Sequence, residues 1–306
     1  MSDLVAEFEA ERAHLTAVAH RMLGSRAEAE DAVQETWLRW SRTMADPATR
    51  GEIREPRGWL TTVCARICLD LLRSARVRRE TYPGQWLPEP VVTPLPDGYA
   101  PDPADRAARA DQLGTALLVV LERLSPEQRV ALVLHDVFAV PFEQVAETLG
   151  TTPAAARQLA SRARRAVHAD GVPRHSAGRA EQRRVVEAFL AASESGDLAA
   201  LLRVLAPDVM VIGDGGGHFP AARRPIVGAD AVARFLFGVY GPDGRYAGQV
   251  RFRPVLVDGT HGLYAEAPYR DGQTVRLVIS FAVHEGRITG VFNQLNPEKL
   301  TGLPPL

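Results

Sequence analysis

Lysine is almost missing from this 306-residue chain: of its 36 basic residues only Lys299 is not an arginine. A strong Arg, Ala and Gly bias goes with that shortage and reflects a GC-rich coding sequence rather than chemistry. Cysteine is scarce too. Cys64 and Cys68 are the two present, one helical turn apart, with no further ligands at zinc-site spacing. They read as small buried helix residues, and neither a metal nor a cofactor is expected. No uninterrupted apolar run approaches the roughly 18 residues of a membrane span. The opening MSDLVAEFEAERAHL lacks the basic start and apolar stretch of a secretory signal. These absences lead to the expectation of a cytoplasmic protein. Its 46% hydrophobic and 24% charged residues suit packed globular domains, two or three for this length.

An overall basic excess is also lacking, since the net charge is −1. The distribution says more than the sum. Arginines concentrate at 66–79 and 157–165, while acidic residues crowd elsewhere in the same half. That pattern suits one face for nucleic acid and another for a basic protein surface.

Residues 1–80 read as helical. Leu15, Val18, Ala19, Met22 and Leu23 repeat on one helical face, and Ala29, Ala32, Val33 and Trp37 continue the pattern in a second segment. Pro56 opens a third helix striped by Leu60, Val63, Cys64, Ile67 and Leu71. Seven prolines then fall within 83–110, which reads as an extended linker whose 28 residues reach roughly 90 Å. A second helical block begins near Asp111. Ser125-Pro126-Glu127-Gln128 carries an N-cap, a proline at the first helical position and a capping box. Phe142 to Leu149 reads as a helix stopped by Gly150, and Pro153 starts another, the helix-turn-helix pattern. From Glu181 two helices lead to strand-like runs at 209–213, 250–257, 263–269, 274–284 and 288–292, with Glu285-Gly286 as a hairpin turn. Helices followed by antiparallel strands predict an α+β domain with a curved sheet.

Three helices carry the chemistry. The third helix places Trp59, Thr62, Arg66 and Arg73 opposite its apolar stripe, and Arg76 follows. Arginines there can neutralise phosphates, and an aromatic edge beside them can hold an unstacked base. The second helix is acidic through Glu28, Glu30, Asp31, Gln34 and Glu35, a composition that repels DNA and fits a basic protein partner. The helix after Gly150 has small residues at Ala154 and Ala155 and exposes Arg157, Gln158, Ser161, Arg162 and Arg165, as a recognition helix in a DNA groove would.

Those segments carry a resemblance. RMLGSRAEAEDAVQETWLRW resembles the core-polymerase-binding segment of extracytoplasmic-function sigma factors, GWLTTVCARICLDLLRSARVRRE resembles their promoter-melting and −10-reading helix, and LERLSPEQRVALVLHDVFAVPFEQVAETLG with TTPAAARQLASRARRAV resembles their −35-reading region 4. The chain departs at Ile67 and Cys68, where many members carry Asn after Ala-Arg. That version is similar to a sub-branch fused to a SnoaL-like, NTF2-fold extension, as are Trp86-Leu87-Pro88-Glu89-Pro90, Asp214-Gly215-Gly216-Gly217 and Asn296-Pro297-Glu298-Lys299-Leu300. The resemblance implies two all-α sigma modules, at 1–82 and 111–172, and an α+β NTF2-like cone at 180–306. It implies core RNA polymerase (β′ and β subunits) and promoter DNA as partners. Asp31, Gln34, Glu35 and Leu38 would dock on the polymerase, and the extension would regulate. Three unusual motifs so far apart in sequence are expected to meet in space, with Trp86, Leu87 and Pro88 docking near Asp214, the glycine triplet, Asn296, Pro297 and Lys299.

A different class of protein shares some of these features. NTF2-like cones often hold small molecules, and some SnoaL relatives are cyclases using an Asp–His pair. Asp214, His218, His261, Tyr264 and Glu266 could line such a cavity, making the extension an enzyme or a ligand-binding domain under a helix-turn-helix controller. An Asp–His pair in an enclosed cavity favours that alternative; a site blocked by the chain's own linker favours regulation. The expectation is regulation, with no chemical step of the chain's own.

Overall fold

The computed structural model describes residues 2–79, 82–95, 115–167, 175, 177–241, 244–246, 249–301 and 303. The chain forms two compact units, Met1–Thr81 with Leu121–Asp170, and Tyr82–Val120 with Gly171–Leu306.

The first unit is helical. Its helices are α1 (Ser2–Leu23), α2 (Arg26–Ala45), α3 (Pro47–Glu52) and α4 (Pro56–Arg79), then, after α5 (Thr115–Leu121), α6 (Pro126–Leu132), α7 (Phe142–Leu149) and α8 (Pro153–Val167). The periodic face of α1 is fully inside: Leu15, Val18, Ala19 and Met22 are 0% exposed. Ser25 caps α2 by accepting from the Glu28 amide. Trp40 at its far end is buried and meets Trp59 of α4 at 5.3 Å. Burying each such side chain contributes about 1.5–3 kcal/mol. Leu60, Cys64 and Ile67 of α4 complete this core.

The capping box at Ser125 and Gln128 starts α6 as read from the sequence. A π-helical turn over Val133–Val137 leads toward α7. Gly150, in a left-handed conformation, ends α7, and the Thr152 hydroxyl accepts from the Ala155 amide to start α8. Ala156, Ala160 and Ala163 form the buried side of α8. Their small size brings its backbone close to α6 and turns the arginines outward.

The second unit joins α9 (Arg179–Ser195) and α10 (Leu198–Val204) to a seven-stranded sheet. Its strands are β1 (Val92–Pro94), β2 (Leu205–Asp214), β3 (Ile226–Val227), β4 (Arg251–Val257), β5 (Thr260–Pro268), β6 (Thr274–His284) and β7 (Arg287–Gln294), with α11 (Ala229–Tyr240) between β3 and β4. Spatial order is β1-β4-β5-β6-β7-β2-β3, antiparallel except for the parallel β2–β7 pair. Glu285 and Gly286, both with positive φ, form the β6–β7 turn. Val185, Phe189, Leu201, Val232 and Leu236 from the helices cover one sheet face, packing on Val211, Leu263, Ile279, Phe281 and Val291. This is the α+β, NTF2-like cone.

The proline-rich stretch extends as expected, but its first part belongs to the sheet. Val92 pairs with Val257 and Pro94 with Val255, so β1 borders β4 at the sheet edge, where a proline is tolerated. Leu87, 1% exposed, packs with Met210, Ile212, Ala282 and Phe292 on the face away from the helices. The remainder of the stretch, 96–110, lies outside the described residues.

Candidate functional site

Helix α2 presents Asp31, Gln34 and Leu38 to solvent. Leu38 is 39% exposed, an apolar spot in an acidic face. Glu35 is half-buried and held by Arg39 at 2.9 Å. On α8, Arg157, Gln158, Ser161, Arg162 and Arg165 are all exposed on the side opposite the buried alanines. Arg157 also lies 3.4 Å from Glu143 and over the Phe142 ring. Arg164 differs from its neighbours. It makes a bidentate pair with Asp136, at 2.6 and 2.8 Å, which raises its affinity for the proton and ties α8 to the π turn.

The open basic face expected on α4 needs correction. Thr62 is buried and Trp59 half-buried. Arg66 donates to the Glu147 carbonyl at 2.8 Å and to its carboxylate at 3.3 Å, while Arg73 pairs with Glu127 at 3.1 Å. The reason is packing that the helical period of α4 cannot reveal: α6 and α7 lie against the side opposite its apolar stripe. The side chain of Arg76 lies outside the described residues. Arg129, to which the sequence reading gave no role, ties the same helices together. It is 2% exposed, donates to the carbonyls of Met22 (2.8 Å) and Leu121 (3.0 Å), and sits 2.7 Å from Glu122. Burial lowers its proton affinity, and Glu122 supplies the counter-charge. A lone arginine inside the run RVALVL was the available signal.

In the second unit the three distant motifs do meet. Asp214, at 0% exposed, accepts from the Tyr82 hydroxyl (2.6 Å), the Leu87 amide (2.9 Å), the Gly216 amide (3.0 Å) and the Lys299 ammonium (2.7 Å). Lys299 also donates to the Leu87 carbonyl at 2.7 Å, with its charge 4.1 Å from the Trp86 ring centroid. Asn296 donates to the Tyr82 hydroxyl and, as the cap of the turn begun by Pro297, accepts from the Glu298 amide. Gln294 donates to the Pro88 carbonyl at 3.2 Å. Burial, then the bond to Asp214, raises the Tyr82 phenol above its ordinary range and keeps it a donor. The glycines follow from crowding: a Cβ on Gly215 would strike the Phe219 carbonyl, one on Gly216 the Asn296 side chain, and Gly216 has φ +60°. Gly217 abuts the Pro83 ring. Tyr82 and Gln294 were missed in the sequence because they lie just outside the motifs they complete.

The hypothetical catalytic cavity does not assemble. Asp214 is taken by the linker, His218 lies 3.4 Å from Glu298, and His261 packs under α9, whose Gln182 donates to its carbonyl. Desolvation, then Arg183, lowers the proton affinity of His261. Tyr264 donates to Glu266 at 2.7 Å and Arg276 pairs with Glu266 at 3.3 Å, on the sheet face turned away from the helices. Strand alternation separates these groups.

Two helical modules, one exposing a recognition helix, define a transcription-initiation factor, and the comparisons agree. Residues 8–78 match the family model for Sigma-70 region 2, and 115–167 that for Sigma-70 region 4. The chain belongs to the extracytoplasmic-function RNA polymerase sigma factors, which direct promoter-specific transcription initiation. It is 47% identical to the ECF RNA polymerase sigma factor SigJ of Mycobacterium tuberculosis over 98% of this chain and 94% of that one. It is 40% identical to the probable ECF sigma factor SigI of the same species, over 74% and 73%. The crystal structure of SigJ superposes with a TM-score of 0.76 at 44% identity, covering 98% of this chain and 99% of that one. No helix among the described residues is long and apolar enough to cross a membrane.

Proposed function

We propose that the chain is a cytoplasmic sigma factor whose region 2 is held closed by its own region 4 until core polymerase separates them. Asp31, Gln34, Glu35 and Leu38 dock on the polymerase, the exposed side of α8 reads the −35 major groove, and Trp59, Thr62, Arg66, Arg73 and Arg76 meet unpaired −10 bases. The carrying observation is the pairing of Arg66 and Arg73 with Glu147 and Glu127. Arginines neutralised by carboxylates present little field to phosphate. The Asp214–Lys299 latch on the linker gives the C-terminal cone its regulatory hold, because it fixes the chain that joins the two DNA-reading modules. The docked linker is also what speaks against an enzyme built on Asp214.

Both acidic partners are partly exposed, so each pair is worth about 0.2–1 kcal/mol. Glu127→Gln with Glu147→Gln is therefore expected to raise run-off transcription several-fold at limiting sigma factor. Unchanged transcription overturns the closed-state reading. On α8, Arg162→Ala is expected to cost roughly 1–3 kcal/mol at a cognate promoter and to relax preference at one base. Equal weakening across a −35 library would reassign it to phosphate.

A further inference from the structure

The helices over the sheet of the C-terminal unit leave a cavity of about 250 Å³ between α11 and strands β2, β5, β6 and β7. Val211, Phe235, Val239, Ala265 and Leu277 give it apolar walls. Aromatic rings extend them: Phe219 meets Tyr269 edge-to-face at 5.2 Å, and Tyr240 meets Phe252 at 5.4 Å. Desolvation raises the Tyr240 phenol above its ordinary range, so it stands there uncharged.

Asn293 is the exception in this lining. It is 3% exposed, and its Oδ1 has no hydrogen-bond partner among the described residues. On β7 its neighbour but one, Val291, packs under the helices, while Phe292 packs on the other face with Leu87, so Asn293 points into the cavity. A buried acceptor without a donor is uncommon in folded proteins. Here it sits at the wall of a space with room for a ligand.

We propose that this cavity binds a flat, uncharged aromatic alcohol whose hydroxyl donates to Asn293 Oδ1. The size excludes drug-sized molecules, which occupy pockets of roughly 300–1,000 Å³. The rings favour an aromatic body by edge and face contacts. A hydroxyl both donates and accepts, so it satisfies the carboxamide whichever way its terminal torsion is turned. Charge is disfavoured because the Glu266 carboxylate lies on the opposite sheet face with Tyr264 and Arg276. The site also adjoins the latch. In the parallel β2–β7 register Gly213 pairs with Asn293 and Asp214 with Gln294, so the cavity floor and the linker anchor are consecutive residue pairs. The proposal concerns binding and holds whether or not the latch regulates transcription.

The test is isothermal titration of the full chain with 2-naphthol, 4-phenylphenol and their methyl ethers, which keep the rings and lose the donor. Saturable one-to-one binding of at least one phenol is expected, about ten-fold tighter than its ether, the worth of one neutral hydrogen bond. Asn293→Leu is expected to bring phenol and ether to parity while melting no lower than the parent; should that variant not fold, Asn293→Ala serves for the same comparison. Absence of saturable binding by both phenols, equal affinity of phenol and ether for the parent chain, or a preference for phenol that persists without Asn293 would each overturn the proposal.

Discussion

Replacing Asp214 with alanine is expected to destabilise the C-terminal unit by about 3–5 kcal/mol, the range found when one partner of a buried ion pair is removed. The carboxylate is 0% exposed and its partner Lys299 has a side chain only 14% exposed, so the ammonium would remain inside with its counter-charge gone. The Leu87 and Gly216 amides would lose their acceptor at the same time. The readout is urea unfolding followed by tryptophan fluorescence. Trp37, Trp40 and Trp59 lie in the helical unit, so the signal lost on Trp86→Phe belongs to the latch. Adding Lys299→Met to Asp214→Ala is expected to recover part of the loss, because the two residues share one interaction. A loss below about 1 kcal/mol would mean that solvent reaches the pair and the latch is weak.

Arg129→Met is expected to be comparably damaging to the helical unit, about 3–5 kcal/mol by the same mechanism. The geometry adds a second effect. Met22 lies in the last turn of α1, whose terminal carbonyls have no partner within the helix, and Arg129 satisfies one of them. Arg129→Lys keeps the charge but has a single ammonium where the fork reached three groups, so an intermediate loss is expected. Thermal unfolding monitored by helical circular dichroism separates the three proteins. Equal melting of parent and methionine variant would show that the contact is replaceable. The contrast with Arg66 and Arg73 is one of burial. Their pairs are half in water and tune an equilibrium, whereas Arg129 holds the packing together.

The local signals in the sequence were strong where one residue type has one physical use. Pro126 and the capping box, Gly150, Pro153, and the turn at Glu285-Gly286 mark element ends, and the structure has them there. The motif glycines also reported truly, since a crowded turn admits no side chain. What escaped was non-local. Helix α11 and the short β3 fall in a stretch whose Gly and Pro content obscured any period. The burial of Thr62 depends on α7, eighty residues onward, and nothing in the spacing of α4 reveals a second covering surface. Asp214 was read correctly as a meeting point. The Asp–His alternative failed because neighbouring strand residues point to opposite faces, a geometric fact that a list of polar residues does not carry. Asn293 was invisible for the same reason.

The short strand Val92–Pro94 has a bearing on where this protein can be cut. It supplies the hydrogen-bonding rim that β4 would otherwise show to solvent, and Leu87 fills the hollow beside it. A fragment beginning at α9 would keep the helices and six strands but leave β4 as a bare border, with an apolar trough on the adjoining face. Such borders recruit strands from other molecules. The excised cone would therefore self-associate, edge against edge, and its assembly would be an artefact of the cut. A fragment beginning at Tyr82, with the chain between the two segments replaced by a flexible tether, carries its own selvage and should stay monomeric.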